Sequence, residues 1–257
     1  RVLMKLPVLS QMVMNKIREE LVNAFGGEFY QVIIGGAAFN KEVEAFFKKI
    51  GFPVTVGYGM TECAPIITYD DWNVEKLYSC GKAAPNLEIR IDSSDPANVP
   101  GEILVRGANV FLGYFKNDDA TDSVFTDDGW FKTGDMGVID EDGCLFIKGR
   151  TKCMILGPSG QNIYPEEVET VINSQPYVVD SLVVEDNGGL TALIYPDFAQ
   201  GAKDGMNQDV FIKFMEDTLP ELNKELPNYA KLKKIEIMSE DFERTPKKSI
   251  KRYLYQR

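Results

Sequence analysis

The chain has no histidine among its 257 residues. That removes the commonest general base and any Ser-His or Cys-His dyad built within the chain. Its four cysteines, Cys63, Cys80, Cys144 and Cys153, form no Cys-x-x-Cys pair, so a zinc site would need unusual ligands, and the thiols read as reduced and structural. Basic residues are in deficit, 28 Lys and Arg against 39 Asp and Glu for a net charge of -11. This weighs against nucleic acid or an anionic membrane as the main partner, since both attract basic surfaces. The short Lys/Arg cluster near the C-terminus does not overturn it. No apolar run approaches the roughly 20 residues of a membrane span. There is no clear signal peptide, no repeat and no low-complexity tract, and a cytoplasmic location is expected by default. The remainder, 44% hydrophobic and 26% charged, is ordinary globular composition, enough for a sizeable core in two units. Catalysis without histidine has to run on charge placement. The chain starts at Arg1 in what reads as the interior of a domain, so a fragment of a longer protein is expected.

Met14, Ile17, Leu21 and Phe25 recur at three- and four-residue steps and stop at Gly26-Gly27, which predicts an amphipathic helix with a glycine end. Gln31 to Ile34 reads as a short buried strand leading into Gly35-Gly36-Ala37-Ala38. Asn40 is placed to cap a second helix with Val43, Phe46 and Phe47 facing inward and Gly51 at its end, and Val54 to Val56 is the next strand. Strand, helix, strand predicts parallel-sheet α/β architecture. From about Gly81 to Lys148 short β-rich runs alternate with turn clusters such as Asp140-Glu141-Asp142-Gly143, the pattern of a small barrel-like β subdomain. Beyond Lys152 a helix near Pro165, strands at Val178 to Val184 and Leu190 to Tyr195, a helix from about Gln208 and a strand at Lys234 to Met238 predict a compact α+β domain.

The chemistry concentrates in a few segments. Gly57-Tyr58-Gly59-Met60-Thr61-Glu62 follows a strand end, where ligands of open α/β sheets bind. There Thr61 can donate to a phosphate and Glu62 can hold Mg2+, a cation that takes oxygen ligands and bridges phosphates. Gly35-Gly36-Ala37 offers a backbone surface that a flat base can approach, although close packing of strand and helix explains such a run better when it is taken alone. Asp135, in Thr133-Gly134-Asp135, is suited to accept hydrogen bonds from both hydroxyls of a ribose, or is simply a turn cap. Arg150 in Gly149-Arg150-Thr151-Lys152 can contact the same ribose or the phosphates. Lys152 stands at the change of domain, where a few residues can absorb a large backbone rotation. Taken singly, each cation reads equally as a solvated surface charge.

In their fixed order, Gly35-Gly36-Ala37, Tyr58 through Glu62, Gly101-Glu102-Ile103 with Gly107 and Gly113-Tyr114, Thr133-Gly134-Asp135, and Gly149 through Glu169 resemble the adenylate-forming acyl-CoA synthetase superfamily. The resemblance spans nearly the whole chain. Asp128 through Gly137, and the cysteine in Thr61-Glu62-Cys63-Ala64-Pro65, look most like the fatty-acyl-CoA ligases. The resemblance implies a two-step reaction with ATP, Mg2+ and coenzyme A: acyl-adenylate formation with pyrophosphate release, then transfer of the acyl group to the coenzyme A thiol. It implies that Gly36 and Ala37 lie against adenine, that Tyr58 stacks on it with Gly59 also at the nucleotide, and that Thr61 touches phosphate while Glu62 binds Mg2+. Asp135 and Arg150 would hold the ribose, Lys152 would be the hinge, and Gly160 would lie in a glycine loop near coenzyme A. The expected domains are 1–151, the end of a large AMP-binding domain (α/β over 1–80, β-rich over 81–151), and 152–257, a small mobile domain. The implied partners are small molecules, namely fatty acid, ATP and coenzyme A. No nucleic acid is expected, and the lipid substrate allows peripheral membrane contact.

Two departures stand out. The family's upstream Ser/Thr/Gly-rich phosphate loop has no counterpart here, so the chain is expected to represent the C-terminal half of a ligase, inactive alone. In Thr245-Pro246-Lys247-Lys248-Ser249-Ile250-Lys251-Arg252, Ser249 occupies the place of the family's adenylation lysine. Serine brings no charge, and Lys248 or Lys247 is expected to substitute, Lys248 first, because lysine is a point charge on a flexible stem. Two alternatives to the ligase stay open: an adenylating enzyme that loads a carrier-protein thiol, and a nucleotide-binding relative that lost adenylation through Ser249. An aromatic or medium-chain acid also stays open beside the long-chain fatty acid.

Overall fold

The computed structural model describes residues 7–157, 160–246 and 248–257. Lys247 and the Pro158-Ser159 part of the glycine loop lie outside the described residues. The chain divides into two compact units, Arg1–Ile147 and Lys148–Arg257. Among the described residues no helix is long and apolar enough to cross a membrane.

The first unit begins with α1 (Pro7–Ala24), whose Met14 is buried with Ile50, Phe52 and Val54, while Ile17 and Leu21 pack against that cluster. The helix stops where Gly26 and Gly27 adopt φ of 94° and 79°, a region open to glycine. Phe25 falls past the helix end and is largely exposed, with its ring against Phe29 and Phe52 of the cluster. β1 (Val32–Ile34), α2 (Lys41–Ile50) and β2 (Val54–Val56) follow, with β1 and β2 parallel and Val32 opposite Val54. Asn40 caps α2 by accepting from the Glu42 and Val43 amides at 3.0 and 3.1 Å, worth about 1 kcal/mol. Gly51 ends the helix at φ 68°.

Two expectations change here. β1 is not buried throughout: side chains alternate across a strand, so Val32 and Ile34 pack on the cluster while Ile33 points away and is exposed. α2 turns Ile50, Phe47 and Glu44 inward and leaves Val43 and Phe46 exposed. A carboxylate takes the core position because Glu44 accepts the Tyr78 amide, which satisfies part of its buried oxygen.

β3 (Tyr58–Gly59), β4 (Ile66–Tyr69) and β5 (Lys82–Ala83) form an antiparallel sheet in that order. β6 (Leu87–Asp92), β7 (Gly101–Gly107), β8 (Phe131–Ile139) and β9 (Leu145–Arg150) form a second sheet, also in chain order, with the short α3 (Asp118–Val124) between β7 and β8 in sequence. Tyr58, Cys63 and Ile67 from the first region share one core with Ile91, Ile103, Val105, Phe131 and Leu145 from the second. The barrel-like subdomain is thus two sheets around one interior.

The second unit opens with the antiparallel pair β10 (Ile155–Leu156) and β11 (Asn162–Ile163). Then come α4 (Pro165–Asn173), β12 (Val178–Asp186), β13 (Gly189–Pro196), α5 (Phe198–Lys203), α6 (Gln208–Glu216), α7 (Leu219–Glu225) and β14 (Leu232–Ile237). The sheet runs β12-β13-β14, antiparallel then parallel. Val168 and Ile172 of α4, Phe211 and Met215 of α6 and Leu222 of α7 bury against Val183, Ala192 and Ile194 of the sheet.

The C-terminal segment is fastened to this core by charge. Arg252 donates to both oxygens of Glu169 at 2.9 and 2.8 Å, and the Val183 amide donates to Glu169 Oε1 at 2.7 Å. Burial pushes the Glu169 carboxyl up, opposed by Arg252 and the Val183 amide. Arg252→Ala would leave that carboxylate buried without its cation, and a loss of about 3 kcal/mol is expected near neutral pH. In urea unfolding the deficit should shrink as the pH falls and Glu169 takes up a proton, because the protonated carboxyl carries no unpaired charge.

Candidate functional site

The predicted acid Asp135 is placed by a bulge. Glu102 pairs with Met136 and Leu104 pairs with Lys132, so Thr133, Gly134 and Asp135 all lie opposite Ile103. Extra residues of this kind bend a strand and re-aim a side chain. The bulge is fully tied. The Thr133 hydroxyl donates to the Ile103 carbonyl at 2.8 Å and accepts from the Asp135 amide at 3.1 Å, and the Gly134 amide donates to Glu102 Oε1 at 3.0 Å. Gly134 sits at φ 73°, where a β-carbon is unfavourable.

The Asp135 carboxylate meets a second predicted residue: Tyr58 Oη donates to Asp135 Oδ2 at 2.7 Å, with both side chains buried. Burial, and then the nearby Asp135 charge, hold the Tyr58 phenol far above its usual range, so it remains a donor. Only 8% of Tyr58 is exposed, which leaves little of its ring to face a ligand. Sequence reasoning named both residues but missed their bond and the part played by Glu102. A glutamate immediately before the bulge partner Ile103 was the sequence signal for it.

From Tyr58 the chain runs into Gly59 and then a 3-10 turn, Thr61–Cys63. Gly59 is required: a β-carbon there would lie 1.9 Å from the Pro65 carbonyl oxygen. Thr61 is exposed and Glu62 half-buried, so a hydroxyl and a carboxylate stand at the rim of the shared core. Among the described residues no group of three or more His, Cys, Asp or Glu is arranged to hold a metal. One carboxylate beside one hydroxyl nevertheless suits Mg2+, which completes its shell with phosphate oxygens and water. Gly35, Gly36, Ala37 and Ala38 form an exposed stretch after β1. Gly36 adopts φ 90° with open space where a β-carbon would stand.

In the second unit Arg150 ends β9 and is exposed, and Lys152 is exposed within the 3-10 turn Thr151–Cys153. Gly160, at φ 81°, belongs to the connection between β10 and β11. There the Gly157 amide donates to the Gln161 carbonyl at 2.8 Å and the Gly160 amide to the Gly157 carbonyl at 2.9 Å. A cavity of about 370 Å³ opens beside Gly157, with Tyr229, Lys231, Lys233 and Gly189 among its walls. The sequence reading passed over these residues. Tyr229 comes from the 3-10 turn Asn228–Ala230, Lys231 from the residue that follows it and Lys233 from the start of β14, so no single periodicity marks the three together.

Lys248 and Ser249 lie in a tight loop closed by the isolated bridge between Arg244 and Ile250. The Thr245 amide donates to the Ser249 carbonyl and the Lys248 amide to the Thr245 carbonyl, each at 2.8 Å. Lys248 takes φ 63°, a left-handed conformation costing a residue with a β-carbon about 1 kcal/mol. Arg244 braces it from behind, donating to the Lys248 carbonyl at 3.2 Å and to Asp180 and Asp241 at 2.9 Å. Both Lys248 and Ser249 are exposed.

Comparison with known proteins places the chain in a family. The family model of the AMP-binding enzyme matches residues 1–115, and that of the AMP-binding enzyme C-terminal domain matches residues 154–257. The chain is 36% identical over 179 residues to a long-chain-fatty-acid–CoA ligase of Mycobacterium bovis, covering 70% of this chain and 28% of that protein. It is 39% identical over 183 residues to the 2-succinylbenzoate–CoA ligase of Bacillus cytotoxicus, covering 67% and 37%. Among solved structures, the O-succinylbenzoate coenzyme A synthetase of Bacillus subtilis with ATP and magnesium superposes with a TM-score of 0.73 at 28% identity, over 91% of this chain and 49% of that one. ATP-bound MatB of Rhodopseudomonas palustris gives 0.68 at 30% identity, over 88% and 44%. The chain spans less than half the length of these relatives.

The chain's own thiols are poor nucleophiles. Burial, with Glu62 adding to it, pushes Cys63 up to about 11; burial, with Glu44 adding to it, pushes Cys80 to about 12; burial and then Glu166 push Cys153 to about 11. Cys144 is raised as well, chiefly by burial. The thiolate is the reactive form, so all four should resist alkylation by iodoacetamide at pH 8 in the folded protein and react once it is unfolded in urea. Mass spectrometry of the labelled peptides measures this directly.

Proposed function

The chain belongs to the AMP-binding enzymes, and on that premise we propose that the whole protein is an ATP-dependent acid–CoA ligase acting on a long-chain fatty acid. The observation that carries the reading is the buried Tyr58–Asp135 hydrogen bond. It locks an acid suited to a ribose diol onto the strand that leads directly into Thr61 and Glu62. The fatty acid rests on the likeness of the Asp128–Gly137 segment to fatty-acyl ligases and on relatives that include long-chain-fatty-acid–CoA ligases.

In the first step a carboxylate oxygen of the acid bonds to the α-phosphorus of ATP, and the bond from that phosphorus to pyrophosphate breaks. Asp135 accepts from the ribose hydroxyls, its orientation fixed by Tyr58, while Thr61 donates to phosphate and Glu62 holds the metal. Magnesium, when bound, neutralises phosphate charge. Gly36 and Ala37 present bare backbone to the adenine, and Gly59 lets the turn approach it. Arg150 supplies a second contact to ribose or phosphate. Lys248 brings positive charge to the reacting phosphate in place of the uncharged Ser249. Such chemistry needs positioning and charge neutralisation more than a covalent protein group, as a chain without histidine requires.

In the second step the thiol of coenzyme A attacks the acyl carbonyl and AMP leaves. Lys152 serves as the hinge between the two arrangements, in a turn near the start of the second unit. The cavity beside Gly157 is lined by Lys231 and Lys233, the latter bonded to the Gly188 carbonyl, by the Tyr229 ring and by glycine backbone, with Glu185 the one carboxylate among the lining residues; two cations against one acid, with a ring beside them, suit an anionic nucleotide. We assign it, together with Gly160, to the nucleotide end of coenzyme A.

The test is AMP release by the full-length protein given Mg-ATP and palmitate, with and without coenzyme A, the acyl product being followed by mass spectrometry alongside 2-succinylbenzoate and medium-chain acids. AMP together with palmitoyl-CoA is expected, and Lys248→Met should slow adenylate formation about 100-fold. Adenylate without any coenzyme A product would indicate a carrier-protein acceptor, and no adenylate across the acids would indicate a nucleotide-binding protein. For the second site, Lys231→Ala should raise the KM for coenzyme A about 10-fold and leave ATP–pyrophosphate exchange unchanged, since exchange reports the first step alone.

A further inference from the structure

The segment between β7 and α3 grips the Thr61–Pro65 turn at three places. Asn109 Nδ2 donates to the carbonyls of Cys63 and Ile66 at 2.6 and 3.0 Å, closing the turn across its mouth. The Phe111 amide donates to the Glu62 carbonyl at 2.8 Å. The Tyr114 hydroxyl donates to Glu62 Oε1 at 3.2 Å.

Tyr114 is itself anchored. Its amide donates to Thr121 Oγ1 on α3 at 2.9 Å, and that hydroxyl donates to the Asn117 carbonyl at 2.9 Å. Its ring stands edge-on to Phe111 with centroids 4.9 Å apart. At Gly113 a β-carbon would come within 2.6 Å of Thr121, so the glycine lets the chain pass close enough for Tyr114 to reach the helix. Two fixed points, one on α3 and one on the Phe111 ring, thereby aim a phenol at one oxygen of a single carboxylate. A solvated tyrosine needs none of this.

We infer that Tyr114 is a positioning residue for Glu62: its hydroxyl fixes one carboxylate oxygen, and so sets the direction in which the carboxylate meets a metal bound to phosphate. Asn109 and the Phe111 amide fix the backbone beneath it. The inference rests on the proposed role of Glu62 as the magnesium ligand. Partners of this kind hold a ligand's orientation, and their loss commonly lowers metal affinity 10- to 100-fold.

The experiment titrates Mn2+, followed by electron paramagnetic resonance, into the full-length protein saturated with α,β-methylene-ATP, for wild type, Tyr114→Phe and Glu62→Gln. Tyr114→Phe keeps the ring and its Phe111 contact and removes only the hydroxyl. It is expected to weaken Mn2+ binding about 10-fold with an unchanged urea midpoint. Wild-type affinity in Tyr114→Phe, alongside weakened binding in Glu62→Gln, would overturn the inference while leaving Glu62 as the ligand. Unchanged binding in Glu62→Gln would remove the reading on which it rests. Weakened binding accompanied by an equal loss of stability in Tyr114→Phe would also overturn it, since general loosening of the segment would then account for the effect.

Discussion

The hydrogen bond from Tyr58 to Asp135 is the constraint on which the first unit's site depends. Both groups are buried, and a buried carboxylate without a donor costs far more than the net value of the bond that satisfies it. The bond is available only because the β8 bulge sets Thr133, Gly134 and Asp135 against Ile103, turning the acid toward the neighbouring sheet. Tyr58 begins β3, which leads into the Thr61–Cys63 turn. One interaction therefore fixes Asp135, proposed to hold the ribose, relative to Thr61 and Glu62, proposed to meet phosphate and metal. Fixing those groups in advance is the form of catalysis open to a chain with no histidine.

What could be read from the sequence was governed by range. The Asn40 cap, the glycine stop at Gly51, the strand–helix–strand order and the helix at Pro165 are local, set by signals within a few residues, and the structure has each of them. The partnership of Tyr58 with Asp135 joins residues 77 apart, and no periodicity encodes it. Asn109 gave no signal because asparagine in a loop normally bonds to its own backbone, whereas here it bonds to a turn more than forty residues earlier. Local chemistry and family resemblance named the candidate residues but not the hydrogen bonds that aim them.

Burial was misjudged where charge replaced hydrophobicity. An apolar count along α2 favours Val43 and Phe46, yet Glu44 is the residue turned inward because the Tyr78 amide meets it. In the second unit Glu169 is likewise buried in α4, held by Arg252 and the Val183 amide. Both carboxylates sit where distant chain segments must be held to a core element: the Tyr78 loop to α2, and the C-terminal segment to α4 and β12. A hydrophobic side chain would fill either space, but it would accept from neither the Tyr78 amide nor Arg252, leaving Arg252 its bond to the Val183 carbonyl but no carboxylate to balance its charge.

The same economy explains how a serine can stand where the related enzymes place a lysine. Among the described residues between Arg244 and Ile250, the Thr245 amide bonds to the Ser249 carbonyl and Arg244 to the Lys248 carbonyl, contacts that use no side-chain atom of Ser249. On the proposed reading the loop has to bring a cation, and a lysine can supply one from an adjacent position because its charge lies at the end of a flexible four-carbon stem. Holding Lys248 at φ 63° costs about 1 kcal/mol, and the Arg244 bond to its carbonyl helps to offset it. Position along the chain is therefore a weaker constraint on this residue than loop geometry. Asp135 is the opposite case: its short side chain and buried partner fix it to one place, and a shift of one residue in β8 would turn it to the other face of the sheet.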